Sequence, residues 1–172
     1  MKKIIIIIIL SLLCLLTACK SDKNQVITEE MYFRVMTNIL YYPEQYEGKT
    51  LELDCFTYEL EDVDGNKYLC GVRKCSSGVG CKCGRDTIIG FILKSEQELP
   101  SPKNQNIETN DKMWIHIKGS LNSMRAKEIR IYAWNGDKVD YNKIETVNFY
   151  VFEVESFSVV EDYSKLAYYV TQ

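Results

Sequence analysis

Apolar and polar positions divide the chain into stretches of different rhythm. Residues 4–16 are apolar almost without a break, interrupted at Ser11. Over residues 28–41 the apolar positions recur at helical spacing, with Met31, Val35 and Ile39 on one line and Phe33, Met36 and Leu40 beside it. Thr28 offers an N-cap, Glu29 and Glu30 suit the positive end of a helix dipole, and Pro43 forbids continuation. The pattern predicts a helix over 28–41, followed by a turn at Gly48.

From Leu51 onward the rhythm changes to period two. Leu51, Leu53, Cys55 and Thr57 alternate with Glu52, Asp54, Phe56 and Tyr58, as in a half-buried strand. Asp64-Gly65 is a hairpin signal between this strand and a second over 68–73. Further strands are expected over 88–93, 113–118, 129–134 and 149–160, the last long and bent. Residues 95–112, with Pro100 and Pro102, read as a surface loop. The tail, 161–172, has the composition of a short amphipathic helix. The fold class is therefore mainly β with flanking helices. The preferred architecture is an OB-like small β-barrel of five strands preceded by an N-terminal helix, with a β-sandwich as competitor.

The first apolar run is about 15 residues long, whereas a membrane span needs roughly 20. Lys2 and Lys3 precede it, and Leu16-Thr17-Ala18-Cys19 closes it in a pattern that resembles the lipobox of bacterial lipoprotein signals. The expected organisation is a signal peptide over 1–18, a lipidated tether over 19–27 beginning at Cys19, and a single OB-like β domain over 28–172. Cys14 leaves with the signal. The protein is thus expected outside the cytoplasm, held on a bacterial membrane by its lipid. Loss of Lys2 and Lys3 leaves 19 basic against 24 acidic side chains, a net formal charge of −5. That balance speaks against nucleic acid, whose backbone demands a basic patch, and against binding anionic lipid by charge alone.

Tyr42-Pro43-Glu44-Gln45-Tyr46-Glu47-Gly48-Lys49 resembles the Pro-x-x-Tyr-x-Gly-Lys lead-in of bacterial exported OB-like domains. More narrowly, the chain is similar to the extracytoplasmic C-terminal domain of the YcgQ-like proteins, described as permease subunits. The features in common are Arg73, then Cys75, Cys81 and Cys83, then Asp86, Gly90, and Trp114 with Gly119, over roughly residues 33–121. Cys81-Lys82-Cys83 departs from that family's adjacent cysteine pair, and a lipid anchor stands in for its membrane-spanning part. The resemblance implies an exported OB-like domain beside a membrane transporter. It implies no reaction.

The segment Cys70–Gly84 is the most unusual stretch. Cys70, Cys75, Cys81 and Cys83 are interleaved with Gly71, Gly78, Gly80 and Gly84, which let a backbone turn tightly. Exported cysteines commonly pair, so disulfides such as Cys75–Cys81 or Cys70–Cys83 are one reading. A Cys81–Cys83 bond is disfavoured by the strain of so short a loop. The second reading is a metal site, with thiolates of Cys75, Cys81, Cys83 and Cys70 holding zinc or another thiophilic cation such as copper(I), although paired C-x-x-C knuckles are absent. The third is thiol redox chemistry at Cys81 and Cys83, with Lys74, Lys82 and Arg85 nearby to lower thiol pKa values. Cys55 reads as a small core residue.

Other candidates are weaker. His116 is the single histidine and excludes any multi-histidine centre; it reads as a half-exposed strand residue beside Trp114 and Lys118. No G-x-S-x-G elbow accompanies the serines. Asp62-Val63-Asp64-Gly65-Asn66 lacks the distal Glu of a calcium loop and reads as a turn. Twelve tyrosines and two tryptophans could build a stacking face, with Tyr41-Tyr42 and Tyr168-Tyr169 the pairs to watch. The reading favoured is a non-enzymatic, membrane-anchored accessory module with a cysteine-rich loop. A thiol-redox protein and a ligand-binding OB surface with structural cysteines are the alternatives.

Overall fold

A computed structural model of the chain describes residues 24–76, 86–106, 109–135 and 138–170. The first apolar run, Cys19 and its neighbours, and Cys81 and Cys83 lie outside these residues. In chain order the elements are β1 (Asn24–Ile27), α1 (Glu29–Tyr41), a single 3-10 turn at Pro43–Tyr46, β2 (Thr50–Glu61), β3 (Lys67–Ser76), β4 (Asp86–Lys94), β5 (Trp114–Leu121), β6 (Lys127–Asn135), β7 (Lys138–Val159) and β8 (Tyr169–Val170). The described chain is mainly β with one α-helix.

Strand pairing returns to its starting point. β2 pairs antiparallel with β5, β5 antiparallel with β7, β7 parallel with β4, β4 antiparallel with β3, and β3 antiparallel with β2. One edge of β2 serves two neighbours in succession. Thr50–Leu53 pairs parallel with β1, and Phe56–Glu61 pairs with β3. Where β2 leaves it, β3 takes β8 in parallel, with Lys74 opposite Tyr169 and Cys75 opposite Val170. β6 pairs only with the first part of β7, forming a two-stranded arm, while the second part of β7 belongs to the ring.

Alternation along the ring strands sorts the core into two clusters. Leu51, Leu53, Cys55, Phe91, Ile115, Ile117 and Phe152 face one way and meet Tyr32, Val35, Met36 and Ile39 of α1. Phe56, Leu60, Cys70, Val72, Ile92 and Trp114 face the other way, under Ile129 and Phe149 of the arm and Tyr163, Leu166 and Tyr168 of the tail. Tyr32 is fully buried, although the helical pattern pointed to Met31 and Phe33, which are only partly buried. Its phenol belongs to the packed face because its hydroxyl donates to the Ile89 carbonyl at 3.3 Å.

Several expectations are corrected. Asn24–Ile27, within the stretch expected as tether, is a strand. The final ring strand begins at Lys138, well before residue 149, because its polar first part is stabilised by β6 rather than by burial. No helix forms over 160–170. Instead Tyr163 stacks on Trp114 and Tyr168 packs on Phe56, and these contacts hold the tail, which turns between Tyr163 and Leu166, against the ring. Residues 95–106 and 109–112 are irregular as expected, yet Lys112 is 2 % exposed. Its ammonium donates to the carbonyls of Asn104 and Asn106, at 2.8 and 2.7 Å, and burial pushes its pKa down.

Candidate functional site

β3 carries three residues of chemical interest, and strand alternation sends them to different places. Cys70 points into the cluster of Phe56, Val72, Ile92 and Trp114. Cys75, an odd number of positions further on, points into the cluster that holds Cys55, Phe91 and Val170. These two candidate ligands therefore do not face one another. Burial pushes the Cys70 thiol up to about 12 and raises Cys55 further still. Both are held protonated at neutral pH by their apolar surroundings, which makes them poor nucleophiles. Among the described residues no group of three or more His, Cys, Asp and Glu side chains is placed to hold a metal ion.

Cys75 lies where the β3–β4 hairpin opens. Cys75 is opposite Thr87 and Ser76 opposite Asp86, so residues 77–85, with Cys81 and Cys83, connect the two strands from this point. Cys75 is 2 % exposed and contributes to the wall of an apolar groove of about 650 Å³. Phe33, Met36 and Leu40 of α1 line this groove together with Ile88, Phe149 and Tyr150.

Arg73 is a buried polar residue with several partners. Its Nε donates to the Asp54 carbonyl at 2.9 Å, and one terminal nitrogen donates to Glu29 Oε1 at 3.0 Å and to the Ala167 carbonyl at 3.1 Å. The guanidinium lies 5.1 Å from the ring centres of both Tyr32 and Trp114. Glu29 also accepts from the Ala167 backbone N–H. One buried cation thus ties together the start of α1, β2, β3, β5 and the tail.

Two of the residues carrying the family resemblance meet in this hub. Arg73 and Trp114 are in contact. At Gly90 a Cβ would collide with the Gly71 carbonyl, and at Gly119 with that of Glu153, where β5 and β7 shift register in a bulge. Glycine at both places permits the close approach of neighbouring strands.

A second polar cluster was not legible in the sequence. His116 on β5 lies between Asp54 and Glu52 of β2, with Nδ1 2.8 Å from Asp54 Oδ1 and Nε2 3.0 Å from Glu52 Oε1. Its side chain is 37 % exposed. Partial burial lowers the imidazole pKa, but hydrogen bonds and charges from Asp54 and Glu52 more than reverse this and raise it overall. Asp62, the other acidic candidate, accepts from the backbone N–H groups of Asp64 and Asn66 and closes the β2–β3 turn, where Gly65 has a positive φ. Tyr41 and Tyr42 are exposed, whereas Tyr168 is packed.

No helix among the described residues is long and apolar enough to cross a membrane. No solved structure matches the chain. The UPF0703 protein YcgQ of Bacillus subtilis (strain 168) is 26% identical over 106 residues, which is 60% of this chain and 32% of YcgQ. The similarity therefore spans about a third of that relative's length. The family described as the DUF1980 C-terminal domain matches residues 14–153, from before β1 to near the end of β7. On that match, which takes in Arg73, Trp114 and the cysteine-bearing hairpin, the chain belongs to the DUF1980 C-terminal domain family.

Proposed function

We propose that the protein is a lipid-anchored, extracytoplasmic accessory module. Cys75, Cys81 and Cys83 bind a thiophilic cation, zinc or copper(I), next to a membrane transporter. The observation that carries this reading is the division of thiols on β3. Cys70 is buried in the core away from the open end of the hairpin, whereas Cys75, also buried, stands at that end, next to the connection that carries Cys81 and Cys83. Three thiolates suit a soft cation with one open position. A disulfide would consume two and leave one over. The transporter context is what the resemblance to YcgQ-like permease subunits implies, and the anchor rests on Leu16-Thr17-Ala18-Cys19.

The scaffold we infer is an OB-type barrel. Counting ring strands in chain order, the neighbours run first, second, third, fifth, fourth and back to first, with the third and fifth parallel. OB domains hold ligands on the outer face of their second and third strands. Here that face carries Cys70, Val72 and Ile92, and the arm and tail bury it. This favours the accessory reading over a ligand-binding OB surface.

Elemental analysis of the full-length protein, purified from membranes without oxygen, tests the site. One equivalent of metal, lost in the Cys81→Ser/Cys83→Ser double variant, is expected. Absence of metal together with a blocked Cys75–Cys81 pair would replace the metal with a disulfide clamp, and turnover of a model disulfide would favour the redox alternative. For the anchor, Cys19→Ser is expected to abolish lipid labelling and release the protein from the membrane fraction.

A further inference from the structure

Glu52 and Asp54 stand two residues apart on β2 and so share a face. The β2–β5 register sets His116 opposite Asp54 and Lys118 opposite Glu52. A neutral imidazole offers one N–H and one lone pair, and ionised carboxylates only accept. The two contacts at 2.8 and 3.0 Å therefore both become hydrogen bonds only when the imidazole is charged. From β7, the other neighbour of β5, Ser158 stands opposite His116 and Ser156 opposite Lys118, with Glu155 at the bulge beyond. From β1, Val26 stands beside Glu52. The charged groups on this face are thus Glu52 and Asp54, with Lys118 along the same strand as His116.

We propose that Glu52, His116 and Asp54 form a proton-operated clamp, in which the charged imidazole fastens the first half of β2 to β5 and its neutralisation frees one carboxylate. That half of β2 also holds β1 on its outer edge, and the Asp54 carbonyl holds Arg73 Nε at 2.9 Å. Release loosens the stretch that joins β1 to the ring. Its direction in pH follows from the raised imidazole pKa. The clamp contributes fully below the unfolded-state value of about 6.5 and is lost as pH rises through the higher folded-state value.

Because His116 is the single histidine, its imidazole resonance in the full chain is unambiguous. An NMR titration from about pH 5.5 to 9 is expected to give a midpoint above the ordinary imidazole value of about 6.5. Glu52→Gln and Asp54→Asn are each expected to lower it. Hydrogen exchange, corrected for intrinsic rates, is expected to lose protection over 24–27 and 50–54 as pH passes that midpoint. The loss corresponds to about tenfold per unit by which the midpoint is raised. His116→Gln removes this pH dependence. A wild-type midpoint at or below the ordinary value, or protection that ignores pH, overturns the clamp, and both readings stand without the variants should those fail to fold.

Discussion

Replacing Arg73 with Met tests whether the buried hub stabilises the fold or merely occupies space. Met keeps most of the aliphatic stem and removes every donor. The change takes hydrogen bonds from two carbonyls, those of Asp54 and Ala167, and a charge-assisted bond from Glu29. A buried acceptor stripped of its donor costs about 1–3 kcal/mol. The ion pair lies between limits: Arg73 is 1% exposed, but Glu29 is 35% exposed and regains water when abandoned. Exposed pairs are worth roughly 0–1 kcal/mol, whereas breaking a buried pair costs about 3–5 kcal/mol. A total loss of about 3–5 kcal/mol is expected. For a chain of this size that corresponds to a Tm lower by roughly 6–20 °C. Thermal and urea unfolding followed by far-UV circular dichroism measure both numbers. Arg73→Lys is expected to fall between, since it keeps the charge without the planar fork. Glu29→Gln is expected to cost far less, and little more when added to Arg73→Met. An Arg73→Met protein within about 1 kcal/mol of wild type would refute the account of the hub.

Two further outcomes follow from the ring. Gly90→Ala places a methyl group against the Gly71 carbonyl and Val72 Cα, both backbone atoms of the paired strand, and is expected to cost at least about 1–3 kcal/mol in urea unfolding. A midpoint equal to wild type would show that the strands can separate at that point. Cys55 and Cys70, buried and with raised pKa values, are expected to resist iodoacetamide at about pH 8 in the native protein and to react in denaturant. Peptide mapping reads this directly, and native labelling of either thiol would contradict its core position.

Local signals carried much of the fold. Glu29–Tyr41, stopped by Pro43, formed where the helical spacing and Pro43 placed it, because dipole and breaker effects act within a few residues, although the Thr28 side chain makes no capping hydrogen bond. The turn at Asp62–Asn66 followed from Asx chemistry and Gly65 for the same reason. The polar first part of β7 had no such signal, since Asp140, Asn142, Lys143 and Glu145 resemble a loop until β6 is laid beside them. The tail failed as a helix because Tyr163, Leu166 and Tyr168 gain more by covering Phe56 and Trp114 than a short isolated helix provides.

By itself, the sequence determined the kind of α1 and of most ring strands, the core role of Cys55, the family likeness around Arg73 and Trp114, and the cysteine-bearing hairpin. All of these are read from periodicity, composition or adjacency along the chain. Tertiary structure alone decided which side chains meet. Register put His116 opposite Asp54, ring closure buried Arg73 between Tyr32 and Trp114, and alternation sent Cys70 and Cys75 to opposite cores. The physical reason is that each of these depends on pairing between distant strands. A shift of one residue in register reverses every face, and no local preference records which register is adopted.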